Sequence, residues 1–344
     1  MIIYSERLKT DEETRMKIGV LGAGTWGLAL SRLLFNSGHE VSVWSALPEE
    51  IDELDKTRRQ RNLPGMIIPG GIIFTKTISD VCVDKDIVLM AVPSVYVRST
   101  AKSAAPFIRE GQIIVDVAKG MEAETFLTLS EVILSEIPQA KVVALSGPTH
   151  AEEVARDLPT TIVAAHGDIE VAEFVQKAFT NNVLRVYTNT DIKGVELCGA
   201  LKNIIALATG IAAGLGYGDN IKAAIMTRGL AEIARLGTKF GCLPETFSGL
   251  AGMGDLIVTA TSQHSRNNRC GHLLGQGLPT EEAVKLVGMV VEGVNALPAA
   301  LELAERYDVE IPIISAVDAV VNGGADPEEV AKELMSRDSR RSEG

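Results

Sequence analysis

Apolar and polar positions follow two regimes along this chain, and the change falls near residue 190. Before it, short apolar runs stand at residues 17–22, 41–44, 71–74, 87–92, 113–117, 141–145, 161–165 and 183–187, most of them separated by segments long enough for helical crossovers. Short apolar runs of this kind predict strands buried on both faces, and their spacing predicts a parallel sheet covered by helices. The first crossover is explicit: residues 25–36 carry a helical pattern and Gly38 ends it. After the polar stretch Thr188-Asn-Thr-Asp191, strand-like runs become scarce. Long helical patterns take over at residues 191–213 and 220–236, and shorter ones follow near Asn267, Thr280, Ala296 and Asp326. Asp326-Pro-Glu-Glu is a helix start, with a cap, a proline at the first position and acids in the first turn. The expected organisation is a charged extension over residues 1–15, a doubly wound α/β domain over 16–190 and an all-helical domain over 191–344.

Composition narrows the partners. With 33 Lys+Arg against 45 Asp+Glu, a net charge of −12 argues against broad binding to nucleic acid or anionic membrane, so an anionic ligand needs a locally basic pocket. Cys82, Cys198, Cys242 and Cys270 lie far apart with no C-x-x-C pair, which points to reduced cytoplasmic thiols and to neither a zinc site nor a disulfide framework. No metal is expected. The extension lacks the apolar stretch of a secretory signal. The longest uncharged stretch, residues 204–218, falls short of the roughly 20 apolar residues of a membrane span, so a buried helix is expected and stable membrane insertion is not.

Gly22-Ala-Gly24-Thr-Trp-Gly27 fits G-x-G-x-x-G between a strand and a helix, with a second strand close behind. In that context Gly22 permits a tight turn, Gly24 lets a pyrophosphate approach the backbone, and Gly27 lets helix and strand pack closely. The α/β domain is therefore expected to be Rossmann-like and to bind NAD or NADP. Ser45 stands at the end of the second strand, where NAD-selective proteins usually place a carboxylate, which tilts the reading slightly toward NADP. Arg58, Arg59 and Arg61 are candidates for a 2′-phosphate and equally for a solvated basic loop. Pro93, just after a strand, is either a cofactor contact or a strand terminator.

Lys202 is the centre of the expected chemistry, because it stands in a run of small and apolar residues where desolvation lowers a lysine's pKa toward a value useful for proton transfer. A snorkelling lysine is the alternative. Lys119 follows a buried strand at the same sheet edge as the glycine loop, a position suited to a substrate or cofactor phosphate. Ser146-Gly147-Pro148-Thr149 offers amides and a hydroxyl to a bound oxygen, or a tight turn in which Thr149 caps a helix. Gly249-Leu-Ala-Gly-Met-Gly254-Asp255 delivers one carboxylate to hold a catalytic ammonium, or a simple cap. Ser265 and Arg266, at a helix start, make a phosphate clamp of amides, hydroxyl and guanidinium, or else a basic surface turn.

Together these segments resemble the soluble, bacterial-type NAD(P)-dependent glycerol-3-phosphate dehydrogenases from about Lys17 to the C-terminal helices. The likeness rests on the glycine motif, Asn62-Leu-Pro-Gly65, Ala118-Lys-Gly-Met-Glu122, Ser146-Gly-Pro-Thr149, Glu196-Leu-Cys-Gly-Ala-Leu-Lys-Asn203, Gly252-Met-Gly-Asp-Leu256, Ser265-Arg-Asn267 and Val290-Val-Glu-Gly293. The resemblance implies interconversion of dihydroxyacetone phosphate and sn-glycerol 3-phosphate, serving phospholipid synthesis, with Lys202 exchanging the proton at C2. Lys119 would contact substrate and cofactor, and Asp255 would complete the catalytic group. Gly147, Thr149, Asn203, Asp255, Ser265, Arg266 and Asn267 would line the substrate site together with Lys202. Thr25, Trp26, Ala151, Val290 and Glu292, with Arg266 again, would meet the cofactor. Family members often carry a basic residue at or near Ser45, and its absence leaves NADP and NAD both open. A homodimer is left open. Rival readings are a related hydroxyacid dehydrogenase or ketopantoate-type reductase, acting on carboxylates, and a non-catalytic nicotinamide sensor.

Overall fold

A computed structural model describes residues 15–336. The expectations for residues 1–14 of the charged extension, and for 337–344 at the end of the helical half, lie outside the described residues. Eight strands form one sheet: β1 (Lys17–Leu21), β2 (Glu40–Trp44), β3 (Ile73–Thr75), β4 (Ile87–Met90), β5 (Ile113–Asp116), β6 (Lys141–Ser146), β7 (Thr160–Ala165) and β8 (Leu184–Asn189). Their order is β3-β2-β1-β4-β5-β6-β7-β8, with every neighbouring pair parallel except β6 and β7. Among these strands run α1 (Thr25–Asn36), α2 (Pro48–Thr57), α3 (Val97–Ala104), α4 (Leu129–Glu136), α5 (Ala151–Val154) and α6 (Ile169–Phe179).

Each central strand is apolar throughout because both of its faces are covered. In β4, Ile87 and Leu89 pack toward α1 and α6, whereas Val88 and Met90 pack toward α3 and α4. The strand order reverses at β1, which lies between β2 and β4, so the crevice beyond its carboxyl end is where sheets of this kind take ligands. The loops after β4, β5 and β6 open on the same edge, since these strands run parallel to β1.

Expectation and structure differ in the polar stretch and within the helical half. The polar stretch expected to end the pattern is partly strand: Thr188 and Asn189 pair with Ala164 and Ala165 of β7 and extend β8. Polar side chains do not end a strand whose backbone is paired.

Beyond β8, the described residues are helical: α7 (Ile192–Gly214), α8 (Asp219–Lys239), α9 (Pro244–Ser248), α10 (Asp255–Thr261), α11 (Arg266–Gly275), α12 (Thr280–Val287), α13 (Glu292–Arg306), α14 (Pro312–Val321) and α15 (Pro327–Ser336). Here α9, α10 and α14 are helices the apolar pattern does not single out, and α14 is the longest of them. Buried Glu232 of α8 holds its start by accepting from the amides of Ile313 and Ile314. The cap expected at Asp326 is present, its carboxylate accepting from the amides of Glu328 and Glu329.

All of α7 from Gly194 to Ala212 is buried, and α8, α10, α11, α13 and α14 pack around it. This helix is long and apolar enough to cross a membrane, but 89% of its most apolar window lies inside the protein. Its contact with α11 depends on four glycines spaced as G-x-x-x-G on each helix. A Cβ would fall 2.2 Å from the Asn268 carbonyl oxygen at Gly210 and 2.2 Å from that of His272 at Gly214. The reciprocal clashes are 2.1 Å to Leu207 at Gly271 and 2.2 Å to Ile211 at Gly275. Only backbones without side chains can approach this closely.

Because the opposing atoms are backbone, Gly271→Ala should lower the free energy of urea unfolding by about 1–3 kcal/mol, the usual range for overpacking. At Gly70 a Cβ meets nothing within 4 Å, so Gly70→Ala should stay within about 0.5 kcal/mol of the parent. Equal stability of the two variants would exclude the glycine contact as the reason α11 lies where it does.

Candidate functional site

The glycine loop after β1 has the conformation a dinucleotide needs. Gly22 adopts φ +117°, donates its amide to the Trp44 carbonyl at 2.8 Å, and would place a Cβ 2.6 Å from the Ala91 carbonyl oxygen. A Cβ at Gly27 would lie 2.4 Å from the Gly22 carbonyl oxygen. Gly24 instead faces open space, with nothing within 4 Å of its missing side chain, and it begins α1 without a side-chain cap. An exposed helix N-terminus beside two sterically required glycines fits a pyrophosphate. Thr25 and Trp26 stand half-buried in the first turn of α1.

Ser45 is buried, and its hydroxyl donates to Glu50 at 2.6 Å while accepting from the Leu47 amide. Arg58 donates to the Ile72 carbonyl and to Asp55 and lies over the Phe74 ring, and Arg61 pairs with Glu53 at 3.5 Å. Arg59 is exposed and has no side-chain partner among the described residues.

Pro93, exposed, precedes the short turn Ser94–Tyr96 after β4. The amide and hydroxyl of Ser94 both donate to the carboxylate of Glu292, at 3.2 and 2.5 Å. Glu292 is the first residue of α13, so this pair joins the helical half to the sheet edge, next to half-buried Val290. Gly120 fits beneath, where a Cβ would meet Ser94 at 2.6 Å.

Lys119, three residues after β5, donates to the Gly147 carbonyl at 2.9 Å, to the Thr149 hydroxyl at 3.3 Å and to Asp255 Oδ2 at 2.7 Å. Lys202, on α7, donates to Asp255 Oδ1 at 2.5 Å and to the Thr259 hydroxyl at 2.6 Å. One fully buried carboxylate thus holds two ammonium groups. Lys202 is only 4% exposed, which rules out the snorkelling alternative. Burial pulls its amine from the ordinary lysine value down to about 7; Asp255 opposes that shift and Lys119 adds to it.

Thr149 does not cap the following helix, as one reading of the sequence had it. His150 occupies the cap position of α5, just before Ala151, while the Thr149 hydroxyl receives Lys119 and donates to the Gly147 carbonyl. Thr259 is a contact the sequence reading did not assign. Its spacing of four from Asp255 puts both on one face of α10 and is the signal that was there to find.

Two further buried acids stand on the elements that lead to the lysines, Asp116 at the end of β5 and Glu196 on α7. Asp116 accepts from the Ala118 amide and so pins the loop that carries Lys119, and burial holds its carboxyl well above the usual range. Glu196 accepts from the amide and hydroxyl of Ser130, and burial pushes it up to about 7.

Ser265 caps α11, its hydroxyl accepting from the Asn268 amide at 3.2 Å. Arg266, the first residue of that helix, is half-buried and has no protein hydrogen-bond or ion-pair partner among the described residues. Asn267 donates to Asn203 at 2.9 Å and accepts from the Gly293 amide, and Asn203 donates to the Gly199 carbonyl. That chain of amides ties α7, α11 and α13 together.

Residues 17–172 match the family model for the NAD-dependent glycerol-3-phosphate dehydrogenase N-terminus, and residues 191–332 match the one for its C-terminus. The chain belongs to the NAD-dependent glycerol-3-phosphate dehydrogenase family. It is 66% identical over 330 residues to glycerol-3-phosphate dehydrogenase [NAD(P)+] 2 of Lactobacillus delbrueckii subsp. bulgaricus, covering 94% of this chain and 98% of that one. It is 52% identical to glycerol-3-phosphate dehydrogenase [NAD(P)+] of Agathobacter rectalis over 94% and 97% of the two chains. Its fold is similar to the crystal structure of glycerol-3-phosphate dehydrogenase from Coxiella burnetii, with a TM-score of 0.90, 35% identity, and 94% and 100% of the chains covered.

The buried lysine has a signed effect on stability. Its folded pKa, about 7, lies below the ordinary 10.5, so between these values the unfolded chain binds more protons and stability from this group rises with pH. Lys202→Met should flatten the rise in unfolding free energy measured in urea between about pH 7 and pH 10. An identical slope in parent and variant would place the titration elsewhere.

Proposed function

We propose that this protein interconverts dihydroxyacetone phosphate and sn-glycerol 3-phosphate, with NADP or NAD as the partner in hydride transfer. The observation that carries the reading is the shared carboxylate: Asp255 holds Lys119 and Lys202 together at the sheet edge where the glycine loop opens. Arg266, at the N-terminus of α11, has no protein counter-ion to compete with a ligand's phosphate among the described residues. The bound nicotinamide supplies or accepts the hydride at C2 of the substrate.

In the reducing direction, Lys202 donates a proton to the C2 oxygen as that oxygen gains charge. An amine with a pKa near 7 can both give up this proton and take it back near neutral pH. Lys119 adds positive charge beside the developing alkoxide, and Asp255 holds both amines in place through opposite oxygens. Ser265, Arg266 and the free amides of α11 bind the phosphate, and this remote binding orients the carbonyl. Asn203 and Asn267 support that helix from behind. Residues 16–190 thereby carry the cofactor and the helical half carries the substrate. Glu292, bonded to Ser94, closes the seam between them.

Steady-state rates with dihydroxyacetone phosphate and each of NADPH and NADH test the reading. Lys202→Ala should reduce kcat by about 10²- to 10⁴-fold, the usual worth of a general acid. Arg266→Ala should lower kcat/KM by about 10- to 100-fold through loss of a charge-assisted contact. Wild-type protein that turns over ketopantoate but not dihydroxyacetone phosphate would overturn the assignment.

A further inference from the structure

Two imidazoles stand at this site with no part in the chemistry described above. His150 follows Thr149, which receives Lys119, and His264 precedes Ser265, the cap of α11. They come from opposite sides of the site, one from the loop after β6 and the other from the turn between α10 and α11. Their ring centroids are 6.0 Å apart and their planes are inclined at 62°, an edge-to-face arrangement. The pair therefore bridges the lysine end of the site and the helix N-terminus proposed for phosphate.

We propose that His150, steadied edge-on by His264, is a specificity-determining contact for the substrate's phosphate and becomes an imidazolium as the dianion binds. The inference rests on the function proposed above.

The His150 side chain does not cap its own helix. Its Nε2 lies 3.3 Å from the Val258 carbonyl oxygen, which can only accept, so Nε2 carries a hydrogen and Nδ1 is left for a proton. Several charges bear on this ring. Lys202 of α7 and Lys119 of the loop after β5 disfavour its charged form, whereas Glu152 of α5 favours it. The His264 ring is its neighbour across the gap, and Asp255 of α10 is committed to the two lysines. Burial is the largest influence and lowers the pKa from the ordinary imidazole value, which favours the neutral ring. A phosphate dianion reverses the balance, because its two charges offset the lysines and reward a proton on His150. A carboxylate brings only one charge and rewards that proton less. The pair thus favours phosphate over carboxylate substrates.

The test uses wild type, His150→Gln and His264→Gln. KM for dihydroxyacetone phosphate is measured from about pH 6 to pH 9. Proton exchange on binding glycerol 3-phosphate to the protein saturated with reduced cofactor, with which it cannot react, is measured by calorimetry in two buffers of different ionisation enthalpy. His150→Gln should raise KM about 10-fold below pH 7, the worth of a charge-assisted hydrogen bond, and the gap should close as pH rises. It should also take up fewer protons at pH 7 than wild type, and the difference should persist in a Lys202→Met background, where that amine no longer titrates. His264→Gln, a change at an exposed position, should shift KM in the same direction by a smaller factor, and it carries the test if His150→Gln does not fold. Parallel KM profiles with equal proton uptake would overturn the inference while leaving the dehydrogenase reading in place. Absence of any turnover of dihydroxyacetone phosphate by wild type would remove both.

Discussion

One carboxylate between two ammonium groups is the interaction around which this structure is arranged. Asp255 is fully buried, and burying an ionised acid is tolerable only when its charge and lone pairs are matched. Lys119 and Lys202 meet that requirement from two directions, one from the sheet edge and one from the central helix. The tight passage before Asp255 serves the same end. It is a π-helical turn, Leu250–Gly254, in which a Cβ at Gly252 would fall 2.1 Å from the Phe247 carbonyl oxygen. Glycine there lets the backbone turn sharply enough to present the acid to both amines.

Two further constraints set the distance between this charge cluster and the proposed phosphate site. The glycine contact between α7 and α11 brings the two helices to backbone separation, so residues at the start of α11 stand beside Asn203, the neighbour of Lys202. The amide chain through Asn267 to Gly293 then carries the position of α11 to α13, whose first residue, Glu292, reaches Ser94 on the sheet. A shift of α11 would be transmitted to the seam between the two halves of the chain.

Much of this was legible in the sequence where local chemistry and structure coincide. Gly22 and Gly27 announce themselves because the turn requires both within six residues. Lys202 stands out because a charge in an apolar run has no cheap solvated alternative once its helix is surrounded. The caps at Ser265 and Asp326 are local hydrogen bonds, readable from residue order alone. What escaped depends on partners distant in the chain. Glycines 210, 214, 271 and 275 look like ordinary helix interruptions until the two helices are seen to cross. Ser94 and Glu292 are 198 residues apart, and nothing local marks either as the other's partner. The cap alternative for Thr149 could not be set aside locally, because the donor that engages its hydroxyl, Lys119, comes from the loop after a different strand.

The use of two lysines rather than one follows from the needs of a proton donor in a buried site. Desolvation draws the Lys202 amine toward its neutral form, and a counter-ion draws it back toward the charged one. Asp255 pulls the amine toward the charged form, but its second oxygen is engaged by Lys119, whose charge acts in the opposite sense. The opposing influences leave Lys202 near 7, where gain and loss of a proton are almost equally favourable. An anion arriving at the same site adds negative charge and shifts that balance toward the protonated amine, so substrate binding itself loads the acid that the proposed reduction consumes.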